Sequence, residues 1–170
     1  MTSLPLPHNK LVKVPSRLVI ACNNLPSEPG VPPLYMTRWT RGDGACMFSA
    51  VIKAMGVNHT MTHKDMRASG IRWMADHQDV YRNLMEDNTS LEAYMARMSN
   101  DKEYGDHAIL HAICQAHRLS IVILKVENGK PSWNQVSVEG DEPDQVIWLY
   151  LNGDSEHYEN LLVESQVEWK

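Results

Sequence analysis

Two runs late in the chain, Leu119 to Val126 and Val146 to Leu151, are almost wholly apolar and rich in β-branched or aromatic residues. Such a run is a strand, and Leu119 to Val126 lacks the polar alternation of a strand with one wet face, so it must be covered on both sides. Asn128-Gly129 and Asn152-Gly153 are turn signals. Trp133, Val136 and Val138 predict a strand between the two runs, and Leu161-Leu162-Val163 a short last one.

The segments that precede these strands carry helical patterns. Ala45 to Met55 is apolar on nearly every side, which predicts a buried helix ended by Gly56. Asp43 stands where an N-cap belongs. Thr62, with Asp65 three positions on, predicts a second helix opened by a variant capping box, with Met66, Ile71, Trp73 and Met74 at roughly helical spacing. Leu91, Tyr94, Met95 and Met98 form one stripe of a shorter helix, and Asp106 caps another whose face is Ile109, Leu110, Ile113 and Ala116. Helices first and strands last predict an α+β domain with a mostly antiparallel central sheet packed between helices.

Ahead of all this, residues 1–34 hold seven prolines and form an N-terminal arm of extended and turn conformations, in which Leu11 to Ile20 can supply a strand. Residues 35–170 form the domain proper, and the length of 170 residues suits a single core. The net charge of −5 speaks against a nucleic-acid-binding face, no apolar segment is long enough to span a bilayer, and no signal peptide opens the chain. An odd count of three cysteines points to a reduced, intracellular, cytoplasmic protein, expected as a monomer.

The chemistry lies in two places. Gly42-Asp43-Gly44-Ala45-Cys46 leads into the buried helix, and His157-Tyr158-Glu159 follows the last apolar run. A thiol reacts as the thiolate, and the first turn of a helix favours negative charge there, as does a nearby imidazolium. His157 is the choice for that imidazole. Residues two apart in extended chain share a side, so Glu159 can reach the far nitrogen of His157 while Tyr158 faces away to pack. Nucleophile, base and orienter are then Cys46, His157 and Glu159. The turn around Gly44 and Ala45 can aim backbone N–H groups at a developing oxyanion, together with that of Cys46.

These blocks resemble the ovarian tumour (OTU) family of cysteine deubiquitinases. The resemblance covers roughly Tyr35 to Val163: Asp43-Gly44-Ala45-Cys46-Met47-Phe48 first, then Leu91 to Met95 and Glu103-Tyr104-Gly105-Asp106 leading into a helix and the strand Ile121 to Leu124, and last His157-Tyr158-Glu159. The middle block looks most like viral and retroelement members. The resemblance implies a papain-like OTU fold and a cysteine isopeptidase that removes ubiquitin or a ubiquitin-like modifier from conjugates through a thioester. It implies no metal or organic cofactor; the charge and hydropathy above add the expectation of no nucleic-acid and no membrane partner. Asp43 counts among the active residues in the family, so it and Glu159 compete for the third catalytic position. Glu159 stands where Asp or Asn is more common, and Tyr104 replaces the usual Trp as a packing change.

Blander readings accompany each residue. Asp43 can be an N-cap alone, Glu159 solvated, Cys114 a core residue beside Leu110 and Ile113, and Cys22 a loop residue. The methionines read as core filler. His107, His111 and Cys114 share a helix face, and His59 and His63 have a four-residue spacing, but neither set has the partner motif of a zinc site. A catalytically weak ubiquitin-binding module is the alternative to an active enzyme.

Overall fold

The computed structural model describes residues 11–13, 34–37, 44–56, 60–86 and 88–163. Among them are six strands, β1 (Leu11–Lys13), β2 (Leu34–Thr37), β3 (Leu119–Glu127), β4 (Lys130–Ser137), β5 (Gln145–Asn152) and β6 (His157–Val163), and five helices, α1 (Cys46–Met55), α2 (His63–Asp76), α3 (Gln78–Arg82), α4 (Leu91–Met98) and α5 (His107–His117).

The strands form one sheet in the order β1-β2-β6-β5-β3-β4. The β3–β4 hairpin turns at Asn128 and Gly129, both at positive φ (52° and 73°), the pair that a tight right-twisted hairpin requires. Because β4 carries the chain back to its starting end, β5 enters the other side of β3 in the same direction. The β3–β5 pair is therefore parallel, from Leu119 opposite Gln145 to Val126 opposite Asn152, while the other four pairs are antiparallel. The sheet is mostly antiparallel, as expected, in an α+β fold.

The buried core lies between helices and sheet. Phe48, Ala50 and Val51 of α1 meet Met66 and Met74 of α2, Ile109 and Ile113 of α5, and Ile121 and Leu149 of the sheet. Met47, Met66, Met74 and Met98 are all buried there. Leu119 to Leu124 is buried at every position, whereas β5 is more open, with Val146 exposed.

Local rules account for the helix ends. The Thr62–Asp65 capping box is present in both directions, Asp65 N–H to Thr62 Oγ1 at 3.2 Å and Thr62 N–H to Asp65 Oδ2 at 3.0 Å. Asp106 accepts from the Ile109 N–H, and Gly56, at φ 119°, ends α1. The one-and-a-half turns of α3 were not expected, because a helix so short shows no period and only His77 separates it from α2.

Two expectations need correction. The cap of α1 is at Ala45, with no side-chain cap, and Asp43 lies outside the described residues, as do Gly42, Cys22 and His59. β6 is longer than its apolar end suggested, and it lies inside the sheet: β5 pairs with it from His157 to Leu161, and β2 from Leu161 to Val163. β1 falls within the proline-rich arm and β2 opens at its last residue, so that segment adds strand to the same sheet.

Candidate active site

Cys46 is the first residue of α1 and is 1% exposed. The helix packs on β6 and β5. Its Sγ lies 3.7 Å from the carbonyl oxygen of Glu156, the residue just before β6. Glu156 is in the left-handed region, φ 55°, a conformation non-glycine residues rarely take. That turn brings its carbonyl to the thiol and starts β6 at His157 in the same place.

His157 Nε2 is 2.7 Å from Glu159 Oε1, and the Glu159 side chain is almost fully covered. With Nε2–H donating to the carboxylate, Nδ1 is the nitrogen left to act as base. Tyr158 points the other way and packs on the core. Its phenol is pushed up to about 12 by burial, with the proximity of Cys46, Asp106 and Glu156 adding to the effect. It stays neutral at any physiological pH.

Two cationic residues in this neighbourhood escaped sequence reasoning. Lys53 sits seven positions after Cys46, so two turns of α1 place both on one helix face. Burial pulls its amine down to about 8, while the charge of Glu159 acts in the opposite sense. The clue was there: Lys53 is the one charged residue in α1.

Arg67 of α2 is 2% exposed. Its Nη2 donates to the carbonyls of Gly44 (3.0 Å), Asp101 (3.0 Å) and Glu103 (2.8 Å), and its Nη1 to that of Met98 (2.9 Å). The guanidinium lies over the Phe48 ring, 4.3 Å from its centroid. Arg67 sits next to Met66 on the buried side of α2, a charge where an apolar residue is usual.

Glycines let the surrounding loops close in. A Cβ on Gly44 would lie 2.1 Å from the Lys102 carbonyl oxygen, and one on Gly105 would lie 2.3 Å from Met47 Cε. Tyr104, expected to pack, is instead exposed: Gly105 and the Met47–Phe48 contact bring the loop down at the next residue.

The histidine cluster resolves into separate contacts. His111 bonds Tyr81 Oη at 2.9 Å and Glu139 at 3.3 Å, and Cys114 is buried with Sγ 3.5 Å from the Val136 carbonyl. Among the described residues, no three His, Cys, Asp or Glu side chains converge on a point that could hold a metal. No described helix is long and apolar enough to cross a membrane.

Residues 41–158 match the model of the OTU-like cysteine proteases. The chain belongs to this family. It is 31% identical over 83 residues to the ovarian tumor domain-containing deubiquitinating enzyme 10 of Arabidopsis thaliana, which is 49% of this chain and 22% of that protein. The chain thus spans about a fifth of the length of that curated relative. Among solved OTU structures, the OTUD1 OTU domain superposes with a TM-score of 0.63 at 21% identity, covering 76% of this chain and 85% of that one. An OTU deubiquitinase of Wolbachia pipientis wMel bound to ubiquitin gives 0.58 at 15%, covering 78% and 97%. The Hazara virus OTU bound to ubiquitin gives 0.59 at 13%, covering 81% and 92%. At these identities the likeness is one of fold, and the papain-like OTU fold is the one this chain adopts.

Proposed function

We propose that this OTU domain is a thiol-dependent deubiquitinase, a cysteine isopeptidase acting on ubiquitin or ubiquitin-like conjugates. The observation that carries the reading is the meeting of Cys46 Sγ with the turn that delivers His157, itself bonded to Glu159. His157 takes the thiol proton and Cys46 sulfur attacks the carbonyl of the modifier's C-terminal glycine. The tetrahedral oxyanion is held by backbone N–H groups of the Gly44–Cys46 turn. It collapses to a thioester as the lysine amine leaves with the proton from His157. Water, deprotonated by His157, then releases the modifier and restores the thiol.

Glu159 orients His157 in this scheme. Asp43, outside the described residues, is supported for that role by its motif position alone. The catalytic unit is residues 35–170, with 1–34 as an arm; it works as a monomer inside the cell, where thiols stay reduced, without a nucleic-acid or membrane partner. Incubation with polyubiquitin is expected to yield monomer, and a ubiquitin probe with a C-terminal electrophile to add its mass at Cys46. Cys46→Ala is expected to abolish both and spare binding. A folded wild type inert to conjugates and to a panel of modifier probes sinks the proposal.

A second reading, a catalytically weak ubiquitin-binding module, is favoured by one contact. The Cys46 thiol donates to the Glu156 carbonyl at 3.7 Å, a bond that an attacking thiolate has to give up. Binding of labelled ubiquitin without turnover would sustain it.

A further inference from the structure

The turn that carries Cys46 is held from behind by one buried guanidinium. Arg67 Nη2 reaches Gly44 in the turn and Asp101 and Glu103 in the loop before α5, and Nη1 reaches the last residue of α4, Met98. The four oxygens it reaches are backbone carbonyls, Nη1 also contacts Met98 Sδ at 3.5 Å, and the Phe48 ring forms the floor beneath the group. One residue of α2 therefore joins the nucleophile turn to a loop more than fifty residues away in sequence, and the missing Cβ of Gly44 lets the two backbones touch.

This contact has a consequence for the turn's donors. A trans peptide points its C=O and N–H in opposite directions. Capture of the Gly44 carbonyl on the Arg67 side sets the Ala45 N–H toward the opposite side of the turn. The same capture keeps a carbonyl oxygen, which would repel an oxyanion, drawn into the interior.

We propose that Arg67 is a positioning residue for acyl transfer: by holding the Gly44 carbonyl it orients the Gly44–Ala45 peptide and with it the anion-stabilising backbone ahead of Cys46. The inference rests on the cysteine-hydrolase reading. Lysine cannot replace the arrangement, because an ammonium lacks the planar fork that serves several carbonyls at once and stacks on a ring.

Two reactions of the same sulfur separate this role from general support of the fold. Hydrolysis of a fluorogenic ubiquitin C-terminal amide passes through an oxyanion; alkylation by iodoacetamide, read by mass at Cys46, does not. In Arg67→Lys, kcat is expected to fall by about 100-fold, the order lost with one oxyanion donor, with KM and the alkylation rate nearly unchanged. Gly44→Ala, which forces the turn off the Lys102 carbonyl while keeping Arg67, is expected to show the same split, and it carries the test should Arg67→Lys fail to fold. An equal fall in both reactions, or a folded variant with wild-type kcat, overturns the inference alone. A wild type that alkylates but does not hydrolyse overturns the hydrolase reading and this inference with it.

Discussion

Glu159 and His157 stand two residues apart on β6, joined by a 2.7 Å contact between Oε1 and Nε2. Strand alternation puts both on one side, and the cross-strand partner of Glu159, Tyr150, lies two residues from the end of β5. The carboxylate is thus part of a ladder on a buried strand, with 6% of the residue exposed.

Substitution of this carboxylate measures how much of the histidine's orientation depends on it. Glu159→Gln keeps an acceptor oxygen for Nε2–H and is expected to lower kcat about 10-fold, and Glu159→Ala about 100-fold, the range found for carboxylates that orient metal-bound histidines. Steady-state kinetics on a ubiquitin amide checks this. A loss in Glu159→Gln equal to that in His157→Ala would make Glu159 the sole orienter; no loss would return the role to Asp43.

Alkaline stability reports on Cys114. Burial pushes its thiol up to about 12, from 9.0 in an exposed chain. Between those values the unfolded chain has lost the proton that the native state keeps, so the unfolded state binds fewer protons and stability falls as pH rises. Cys114→Ala leaves a small cavity and is less stable at neutral pH. It lacks this alkaline loss, so the gap between variant and wild type is expected to narrow from pH 9 upward in urea melts. A gap constant over that window contradicts the assignment.

Lys53 has the opposite sign. Its amine is pulled down to about 8 from 10.5, chiefly by burial. Within that interval the unfolded chain holds a proton the native state has released, so this residue makes stability rise with pH, and its contribution is lost as pH falls through 8. Lys53→Met is expected to be more stable than wild type at pH 7 and to lose part of its advantage as pH climbs toward 10.5. Thermal melts at matched ionic strength test the sign, and a lysine substitution without pH dependence refutes it.

Much of this domain is written locally. The Thr62–Asp65 box, the Asp106 cap, the Asn128-Gly129 hairpin and the stop at Gly56 depend on residues a few positions apart, and each appears as sequence periodicity and capping chemistry predict. The alternation of His157 and Glu159 is local too, which is why their contact could be anticipated. The cap of α1 could not, because the turn before Cys46 is held by Arg67 rather than by a side chain of its own.

Sequence by itself determined the kinds of elements, their order and the pair of segments that carry the chemistry, because helix stripes, strand alternation and capping act over one or two turns of chain. Tertiary structure decided the rest: β5 beside β3 in parallel, β6 inside the sheet, Cys46 against the Glu156 turn, Lys53 near Glu159, and Arg67 behind Gly44. Each of these joins positions distant in the chain, and such pairings are selected by how all the faces bury together, a property no short window of residues contains.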